Sequence, residues 1–324
     1  ANTGAGQDMF WGLYSLPFLF PQKVLDVSDV ADYLGKKYDG WVPSAQVYGK
    51  GTGGKTWLDI PVCYSGSLMN YRISSMQKAG FKEFPKTTDE FLAYATACKK
   101  NGTPGGFALG HASGDANAWA HWCLWSHGGN LVDKNDKVII NSPETAKALE
   151  YCKKLYEQMI PGVLSWNDAS NNKAFLAGEI HWTDNGISIY VAAKKDPSKQ
   201  AIAADMNHAY YPIGPVGKPT EFHLMYPLLA MKYTKYPNAC KALMSFMLEA
   251  DQFNAWLIAS QGYLTHTLNA YDKNPVWTMD SKTTPFRDVA KRTLTAGGLG
   301  SVGEKAATAI SDFVVVDMFA NYCT

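Results

Sequence analysis

The chain has 324 residues, 46 % of them hydrophobic, and this length and composition predict a large core and two domains. The formal net charge of +1 provides no basic surface of the kind that nucleic-acid-binding proteins carry, so no nucleic-acid partner is expected. No apolar run approaches the ~20 residues needed to cross a bilayer.

The first stretch of note is GKGTGGKT at residues 49–56, which matches the phosphate-binding pattern of nucleotide triphosphatases. That loop works between a buried strand and the start of a helix. Here the following stretch, TWLDIPVCY, favours a strand, and Pro61 would break a helix where one must begin. The preceding WVPSAQVY reads as a short extended stretch. We therefore predict a mobile glycine-rich turn between two extended segments and no nucleotide binding.

Two helices have clear start signals. Thr87 and Glu90 form a capping box, and this helix should end at Asn101 and the glycine after it. Ser142 caps the next helix, with Pro143 at its first position. Its apolar residues recur on one side, as in an amphipathic helix.

A third helix is predicted from Asn238, continuing to about Trp256. Between the helices lie short strand-like runs, WLDIPVCY, GEIHWT, AYYPIG and FHLMYPLLAM. Helices that alternate with short buried strands predict an α/β fold. No linker divides the chain into two consecutive halves.

The sequence contains no catalytic or metal-binding motif. The seven histidines form no H-E-x-x-H pair, there is no G-x-S-x-G elbow, and no cofactor or metal is expected. The cysteines lack C-x-x-C spacing, so disulfides in an oxidising compartment and buried free thiols both stay open. A Cys63 nucleophile working with a distant histidine also stays open as an alternative. The cysteines are Cys63, Cys98, Cys123, Cys152, Cys240 and Cys323.

Five stretches in order resemble one protein family. They are GQDMFW, TWLDIPVCYSGSLMNYRISSMQKAGFKEFPKTTDEF, WCLWSHGGNLVDKNDKVIINSPETAKALEYCKKL, AFLAGEIHWTDNG and QGYLTH. From about Gly6 to Asp317 the chain resembles the extracellular solute-binding proteins of ABC importers, the group that includes maltose-binding protein. The resemblance implies a two-lobed periplasmic-binding-protein fold of type II, with crossing hinge segments and a ligand cleft between the lobes.

The resemblance also divides the chain. It places residues 1–66 and 222–262 in the N-terminal lobe, and residues 70–216 and 268–324 in the C-terminal lobe. The family's opening strand and helix, together with a signal peptide, have no counterpart before GQDMFW. We therefore expect the mature protein to carry an additional N-terminal strand and helix, without which the first lobe would expose a sheet edge.

The resemblance implies ligand contacts in the stretch GDANAWAHWCLWSHGG. Asp115 or Asn117 would cap a helix there, with Trp119 and Trp122 on one face. The start of this helix meets the cleft in the family, so Asn117, Trp119 and Trp122 are predicted to contact ligand, while Trp125 is assigned to the core. The alternative is that all three indoles pack inside.

Further contacts follow from the same resemblance. An aromatic residue reaches the ligand from the other lobe, hydroxyls lie at the first crossing, a D-N-G turn presents an amide and backbone N–H groups, and two residues lie near the second crossing. Simple packing, a plain turn and a hydrogen-bonded core histidine are the respective alternatives. The residues are Trp11, Tyr64, Ser65, Asn185, Gly186, His223 and Tyr226.

The function implied is that of the substrate-binding component of an ABC importer. It would capture a small polar solute, a sugar or sugar derivative, by hinge closure and deliver it to membrane permease subunits. An aromatic content of 13 % suits such ligands, because their C–H faces pack on rings. The protein would be a non-enzymatic monomer, periplasmic or extracellular, held at the membrane by the transporter or by a lost anchor. A carbohydrate-active or thiol-dependent enzyme is the alternative.

Overall fold

The computed structural model describes residues 4–324 and shows a mixed α/β chain. The strands are β1 (Met9–Trp11), β2 (Ile60–Ser65), β3 (Leu68–Arg72), β4 (Trp182–Asn185), β5 (Met206–Ala209), β6 (Leu224–Ala230) and β7 (Leu264–His266). The predicted α/β class is confirmed.

The α-helices fill the segments between and after these strands. They are α1 (Ser28–Lys37), α2 (Pro43–Lys50), α3 (Ile73–Lys78), α4 (Thr88–Lys100), α5 (Asp115–Ser126), α6 (Pro143–Tyr156), α7 (Ser170–Ala177), α8 (Ser188–Lys195), α9 (Gln200–Asp205), α10 (Pro237–Met247), α11 (Ala250–Ser260), α12 (Val276–Met279), α13 (Val289–Arg292), α14 (Glu304–Ser311) and α15 (Val314–Cys323). No helix within residues 4–324 is long and apolar enough to span a membrane.

The chain divides into two compact units, each built from discontinuous segments. Unit 1 comprises the described residues up to Ser65, then Val132–Val138 and His223–Ser311. Unit 2 comprises Gly66–Leu131, Ile139–Phe222 and Asp312–Thr324.

Unit 1 is organised around an antiparallel sheet with the strand order β1-β6-β2-β7. Every residue of β2 is buried, as expected for an internal strand covered on both faces. On one face of β6, Leu229 packs with Val24 and Met231 in an apolar cluster that Phe10 and Phe20 extend. This cluster anchors β1 and the segment after it to the sheet.

Unit 2 has a smaller antiparallel sheet, β4-β3-β5, and an aromatic core. The ring of Trp182 on β4 lies 5.3 Å from Phe91 of α4 and 5.2 Å from Phe107, both edge to face. Trp119 of α5 continues this core at 5.2 Å from Phe107. Such ring pairs add to the free energy gained by burying their area.

The placement of residues 268–311 differs from the one expected from the sequence, because they lie in unit 1. The segment is tied there by hydrogen bonds: Ser44 Oγ donates to the Ala290 carbonyl at 2.9 Å, and Thr265 Oγ1 donates to the Phe286 carbonyl at 2.8 Å. Residues 132–138 also belong to unit 1, where Asp133 O accepts from the Ser301 N–H at 3.0 Å. These are contacts between residues distant in sequence, which local patterns do not encode.

The two helix starts with strong local signals are confirmed. Thr87 Oγ1 accepts from the Glu90 N–H at 3.3 Å while the Glu90 carboxylate accepts from the Thr87 N–H at 3.0 Å. Ser142 Oγ accepts from the Thr145 N–H at 3.2 Å, and the helix begins at Pro143. In both, the cap satisfies N–H groups that a helix start leaves open.

Two predicted elements have different bounds in the structure. The helix predicted from Asn238 is present, but its cap residue is Tyr236, it begins at Pro237 and it ends at Met247, so the helix that starts at Ala250 is a separate one. The strand predicted in AYYPIG lies earlier, at β5. Proline favours the first helical position, and strand pairing with β3 selected β5, so both results depend on details that the run of apolar residues does not show.

The segment before GKGTGGKT is helical, so its prediction as an extended stretch was wrong. Pro43 occupies the first turn of α2, after Val42 in extended conformation. Gly49 lies inside this helix. A glycine is required there because a Cβ would come within 2.1 Å of the Trp57 ring. Gly51 then ends the helix at a φ of +74°, which glycine adopts without strain. The glycines of this stretch therefore serve a close contact and a helix end.

Asp59, directly before β2, is a fully buried carboxyl group in unit 1. Neither of its carboxylate oxygens has a hydrogen-bond partner among residues 4–324. Burial raises the pKa of Asp59 well above its ordinary value of 3.8. The folded protein therefore favours the protonated acid, whereas the unfolded chain ionises near pH 4.

We expect Asp59→Asn to stabilise the protein by about 1 kcal/mol or more at pH 7.5, because each unit of pKa difference corresponds to about 1.4 kcal/mol. For a carboxyl with a raised folded pKa, stability is lost as the pH rises above the unfolded pKa. The advantage of the asparagine variant should therefore shrink towards pH 4. Urea unfolding at pH 4.5 and 7.5 measures this, and an advantage that is equal at both pH values would contradict it.

Candidate functional site

Unit 2 contains a cluster of polar side chains, most of them buried, drawn from two helices, one strand and the loops next to them. We call Asp115, Asp168, Asn171, Asp184 and Tyr211 the carboxylate cluster. Asp115 begins α5, Asn171 lies in α7, Asp184 lies in β4, and Tyr211 follows β5. All but Asp168 are buried.

Asp168 fixes the start of α5 from outside the helix. Its carboxylate accepts from the backbone N–H groups of Ser113, Gly114 and Asp115 at 2.9, 3.0 and 3.0 Å. The residue before the helix is Gly114, which has no side chain to serve as a cap. The expectation that Asp115 or Asn117 caps this helix was therefore wrong.

Asn171 connects the acidic residues of the cluster. Its Nδ2 donates to Asp115 Oδ2 at 2.8 Å and to the Asp184 carbonyl at 2.9 Å. These bonds tie α7 to both α5 and β4. A side-chain amide held in this way positions its neighbours because both bonds are buried.

Asp184 has one satisfied and one unsatisfied oxygen. Tyr211 Oη donates to Asp184 Oδ2 at 3.1 Å, and Ser67 Oγ lies 3.5 Å from the same oxygen. The Oδ1 atom has no partner among residues 4–324. Burial, and then the nearby Asp115, raise the pKa of Asp184. The protonated carboxyl can both donate to and accept from a hydroxyl group.

Asp115 has a raised pKa for related reasons. Burial raises the pKa of this carboxyl, and the carboxylate of Asp168 raises it further. Two neighbouring carboxyls that both favour the protonated form avoid like-charge repulsion. Asp115 and Asp184 therefore offer neutral hydrogen-bonding groups rather than two full negative charges.

Asn185 and Gly186 follow Asp184 at the end of β4. The Asn185 Nδ2 donates to Asn172 Oδ1, and its Oδ1 accepts from Ser188 Oγ at 3.2 Å. Its backbone carbonyl accepts from Asn70 Nδ2 at 3.0 Å. Gly186 is buried between β4 and α8. The D-N-G sequence thus joins a strand to a helix.

Asn117 is buried within the first turns of α5. Its Nδ2 donates to the Ser113 carbonyl at 3.2 Å, and its Oδ1 has no partner among residues 4–324. Like Asp184 Oδ1, this atom is a buried acceptor with unused hydrogen-bonding capacity. The ligand contact predicted for Asn117 and for Asn185 with Gly186 stays a prediction.

Trp119 and Trp122 are enclosed in the core of unit 2. Trp119 Nε1 donates to the Ala108 carbonyl at 2.6 Å, and Trp122 Nε1 donates to the Pro212 carbonyl at 2.9 Å. Both rings are fully buried against other aromatic rings. Every residue of α5 is buried, so neither face of this helix is free for a ligand in this conformation. The positions favour the packing alternative for both indoles, and Trp125 lies in the core as predicted.

Unit 1 presents an aromatic pair in which one ring is exposed. The Trp11 side chain on β1 is 44 % exposed, and its ring lies edge to face against Trp256 of α11 at 6.2 Å. Phe253 supports Trp256 at 5.9 Å. Trp11 pairs with Leu228 across the sheet, which places it on the same face as Tyr226, two residues along β6. Tyr226 is half-buried.

The other predicted residues of unit 1 lie deeper. Tyr64 is buried and donates through Oη to Ser44 Oγ at 2.7 Å. Ser65 ends β2 between Leu224 and Leu264, and it is buried. The buried His223 donates its backbone N–H to Thr293 Oγ1 at 3.2 Å. The unit thus carries five of the predicted contact residues, and unit 2 carries the other five.

Sequence reasoning missed Asp184, Tyr211 and Trp256. The sequence did contain a signal for Asp184, because an acidic residue within a strand-like stretch such as GEIHWTDNG is seldom buried without a specific role. The sequence contained no such signal for Tyr211 and Trp256, because only tertiary contacts bring these residues to their partners.

The structure bears on the alternative in which Cys63 acts as a nucleophile. Cys63 is buried, and burial raises the pKa of its thiol well above the ordinary value, so little thiolate is present to act as a nucleophile. Among residues 4–324, no group of three histidine, cysteine or acidic side chains is arranged to hold a metal ion.

Residues 1–285 match the family described as bacterial extracellular solute-binding protein. Among curated relatives, a "Probable ABC transporter-binding protein" of Deinococcus radiodurans is 25 % identical over 208 residues, which is 62 % of this chain and 49 % of that protein. The chain spans about half the length of the curated relatives it matches.

Solved structures share the fold across the whole chain. Maltose-bound MalE3 of T. maritima superposes with a TM-score of 0.76 at 20 % identity, covering 99 % of this chain and 85 % of that one. A sugar transporter from Arthrobacter chlorophenolicus A6, with bound laminaribiose, gives 0.75 at 15 % identity, covering 99 % and 84 %. These similarities establish the periplasmic-binding-protein fold.

Proposed function

The chain belongs to the bacterial extracellular solute-binding protein family, and from this premise we propose that it binds a sugar or sugar derivative for an ABC importer. The proposal includes an extracytoplasmic location and delivery of the solute to permease subunits. Two neighbours in fold are described with maltose and laminaribiose bound, which supports a saccharide ligand. The hinge closure that the family resemblance implies stays a prediction.

The exposed indole of Trp11 is the observation that carries the saccharide assignment. The indole of Trp11 is 44 % exposed on a strand, and Trp256 packs against it edge to face, so the exposed part of the ring is accessible to a ligand. The apolar C–H face of a sugar ring packs well on such a surface. The half-buried Tyr226 on the same sheet face adds a hydroxyl for hydrogen bonding.

Unit 2, considered by itself, also carries polar groups whose chemistry suits a sugar. Asp184 Oδ1 is a buried acceptor that no described residue satisfies. Sugar hydroxyls are donors of the right kind for this atom. A neutral Asp184 avoids placing a bare charge against a neutral ligand, which suits a saccharide better than a cationic solute.

A thermal-shift screen with maltose, laminaribiose and monosaccharides identifies the ligand first. A ligand at ~100-fold its dissociation constant stabilises the protein by about 2.7 kcal/mol. Chromatography of the recovered ligand should show it unchanged. Turnover of the sugar would instead favour the carbohydrate-active enzyme, and the absence of any shift across the panel would contradict the saccharide assignment.

We expect Trp11→Ala to weaken binding of the identified sugar about tenfold, because the stacking surface is lost while the exposed side chain contributes little to folding. Isothermal titration calorimetry gives the affinity, and urea unfolding gives the stability. Tyr236→Ala is the matched control, since it removes a 64 % exposed aromatic side chain from the same unit. Equal affinities for both variants and the parent would show that the sugar does not contact Trp11.

A further inference from the structure

Three cysteines of unit 2 lie together where α5, α6 and α15 pack. Cys152 of α6 and Cys323 of α15 have their Sγ atoms 3.6 Å apart. Cys123 of α5 donates through Sγ to the Ala148 carbonyl, one turn before Cys152, at 3.6 Å. Cys123 also interacts electrostatically with both of the other thiols. The remaining cysteines, Cys63, Cys98 and Cys240, are buried elsewhere.

The structure assigns Cys152 and Cys323 as a redox pair that forms a disulfide when the protein meets an oxidising thiol–disulfide couple. Two sulfurs 3.6 Å apart need to approach by about 1.5 Å to reach the length of an S–S bond, which side-chain rotation can supply. The family is described as extracellular, and disulfides persist in such compartments. The bond would tie α15 to α6 within unit 2.

The surroundings favour this pair over the others. Lys153, next to Cys152, lies 5.9 Å from the ring centroid of Tyr322, the residue next to Cys323, which is a cation–π contact between the two helices. The hydrogen bond from Cys152 and the positive charge of Lys153 lower the pKa of Cys323. Burial raises the pKa of Cys152. Cys323 is therefore the attacking thiolate, and Cys152 is the resolving thiol.

The exchange is balanced with oxidised glutathione as the oxidant. The Cys323 thiolate attacks one glutathione sulfur, forms a mixed disulfide and releases one glutathione thiolate. Cys152 gives up its proton and attacks Cys323 Sγ, which forms the protein disulfide and releases the second glutathione thiolate. The protein loses two protons and two electrons, and one oxidised glutathione takes them up to become two reduced molecules.

The test begins with the full chain refolded in a glutathione redox buffer, with a dithiothreitol-reduced sample in parallel. Free thiols are alkylated under denaturing conditions and counted by intact mass spectrometry. We expect four alkylated cysteines in the oxidised sample and six in the reduced one, with peptide mapping joining the segments around Cys152 and Cys323. Six free thiols in both samples, or a bond that uses Cys123, would overturn the assignment.

Variants separate the pair from its neighbour. Cys123→Ser should still lose two thiols on oxidation, whereas Cys323→Ser and Cys152→Ser should lose none. The parent should melt at least about 5 °C higher when oxidised than when reduced, because the bond closes a loop between residues 171 apart in sequence. The Cys152→Ala/Cys323→Ala double variant should melt at one temperature in both buffers, and a redox-dependent shift there would contradict the proposal even if single variants fold poorly.

Discussion

Trp119→Ala is expected to destabilise the protein by about 3–5 kcal/mol, the range found when a fully buried tryptophan or phenylalanine is truncated. The ring packs against Phe107 at 5.2 Å and Phe319 at 6.3 Å, so its removal leaves a cavity lined by aromatic rings. It also removes the donor to the Ala108 carbonyl and leaves that buried acceptor unsatisfied. Guanidinium unfolding measures the loss.

This variant also decides between the two roles considered for Trp119. If the indole packs, Trp119→Ala lowers stability, and the fraction that stays folded binds sugar with affinity close to that of the parent. If the indole stacks on ligand, the variant keeps most of its stability and loses at least about tenfold in affinity. Trp11→Ala serves as the comparison, since its ring is exposed and the opposite pattern is expected of it.

Gly105→Ala is the second variant with a large expected effect, a loss of about 3 kcal/mol. A Cβ at this position would lie 2.0 Å from Trp182 Cδ2 and 2.1 Å from Cε2, far inside van der Waals contact. The backbone cannot move away easily, because Gly105 O accepts from the Ile160 N–H at 3.0 Å and the Gly106 N–H donates to the Trp182 carbonyl at 3.1 Å. Overpacking of this kind typically costs 1–3 kcal/mol and occasionally more.

A double-mutant cycle with Trp182→Phe tests the cause. The smaller ring leaves room for the added methyl group, so Gly105→Ala should cost less in the Trp182→Phe background than in the parent. Unfolding midpoints and slopes in urea give the four stabilities. Equal penalties in both backgrounds would show that the clash with the indole is not the source of the loss.

Both variants concern the same region, the aromatic core of unit 2, which lies behind the candidate site. Asp184 of the carboxylate cluster lies on β4 and Asp115 at the start of α5, and the rings of Trp182 and Trp119 pack these two elements into the core. Loss of either ring contact would move Asp184 and Asp115 relative to Asn171. Positioning of the polar groups therefore depends on apolar packing behind them.

The sequence predicted the functional class better than the individual contacts. Order and spacing of five modest stretches were sufficient to indicate the family, which residues 1–285 then matched. The ligand contacts stay predictions. Burial of Trp119 and Trp122 weakens two of them, while the exposed Trp11 strengthens one. An indole at helical spacing carries no mark in the sequence that distinguishes a core position from a ligand position.

The sequence by itself determined those features that depend on interactions between residues close together in the chain. The capping box at Thr87 and Glu90 and the Ser142 cap before Pro143 both satisfy backbone N–H groups within four residues, so the sequence alone located these helix starts. The alternation of helices and short strands likewise determined the α/β class.

The tertiary structure decided everything that depends on contacts between distant residues. The cap of α5 comes from Asp168, more than fifty residues away, and not from the nearby Asp115 or Asn117. Gly49 is required by the ring of Trp57, and residues 268–311 join unit 1 through bonds to Ser44 and Thr265. The physical reason is the same in each case: a contact between residues far apart in sequence depends on how the chain packs, and one-dimensional spacing does not contain that information.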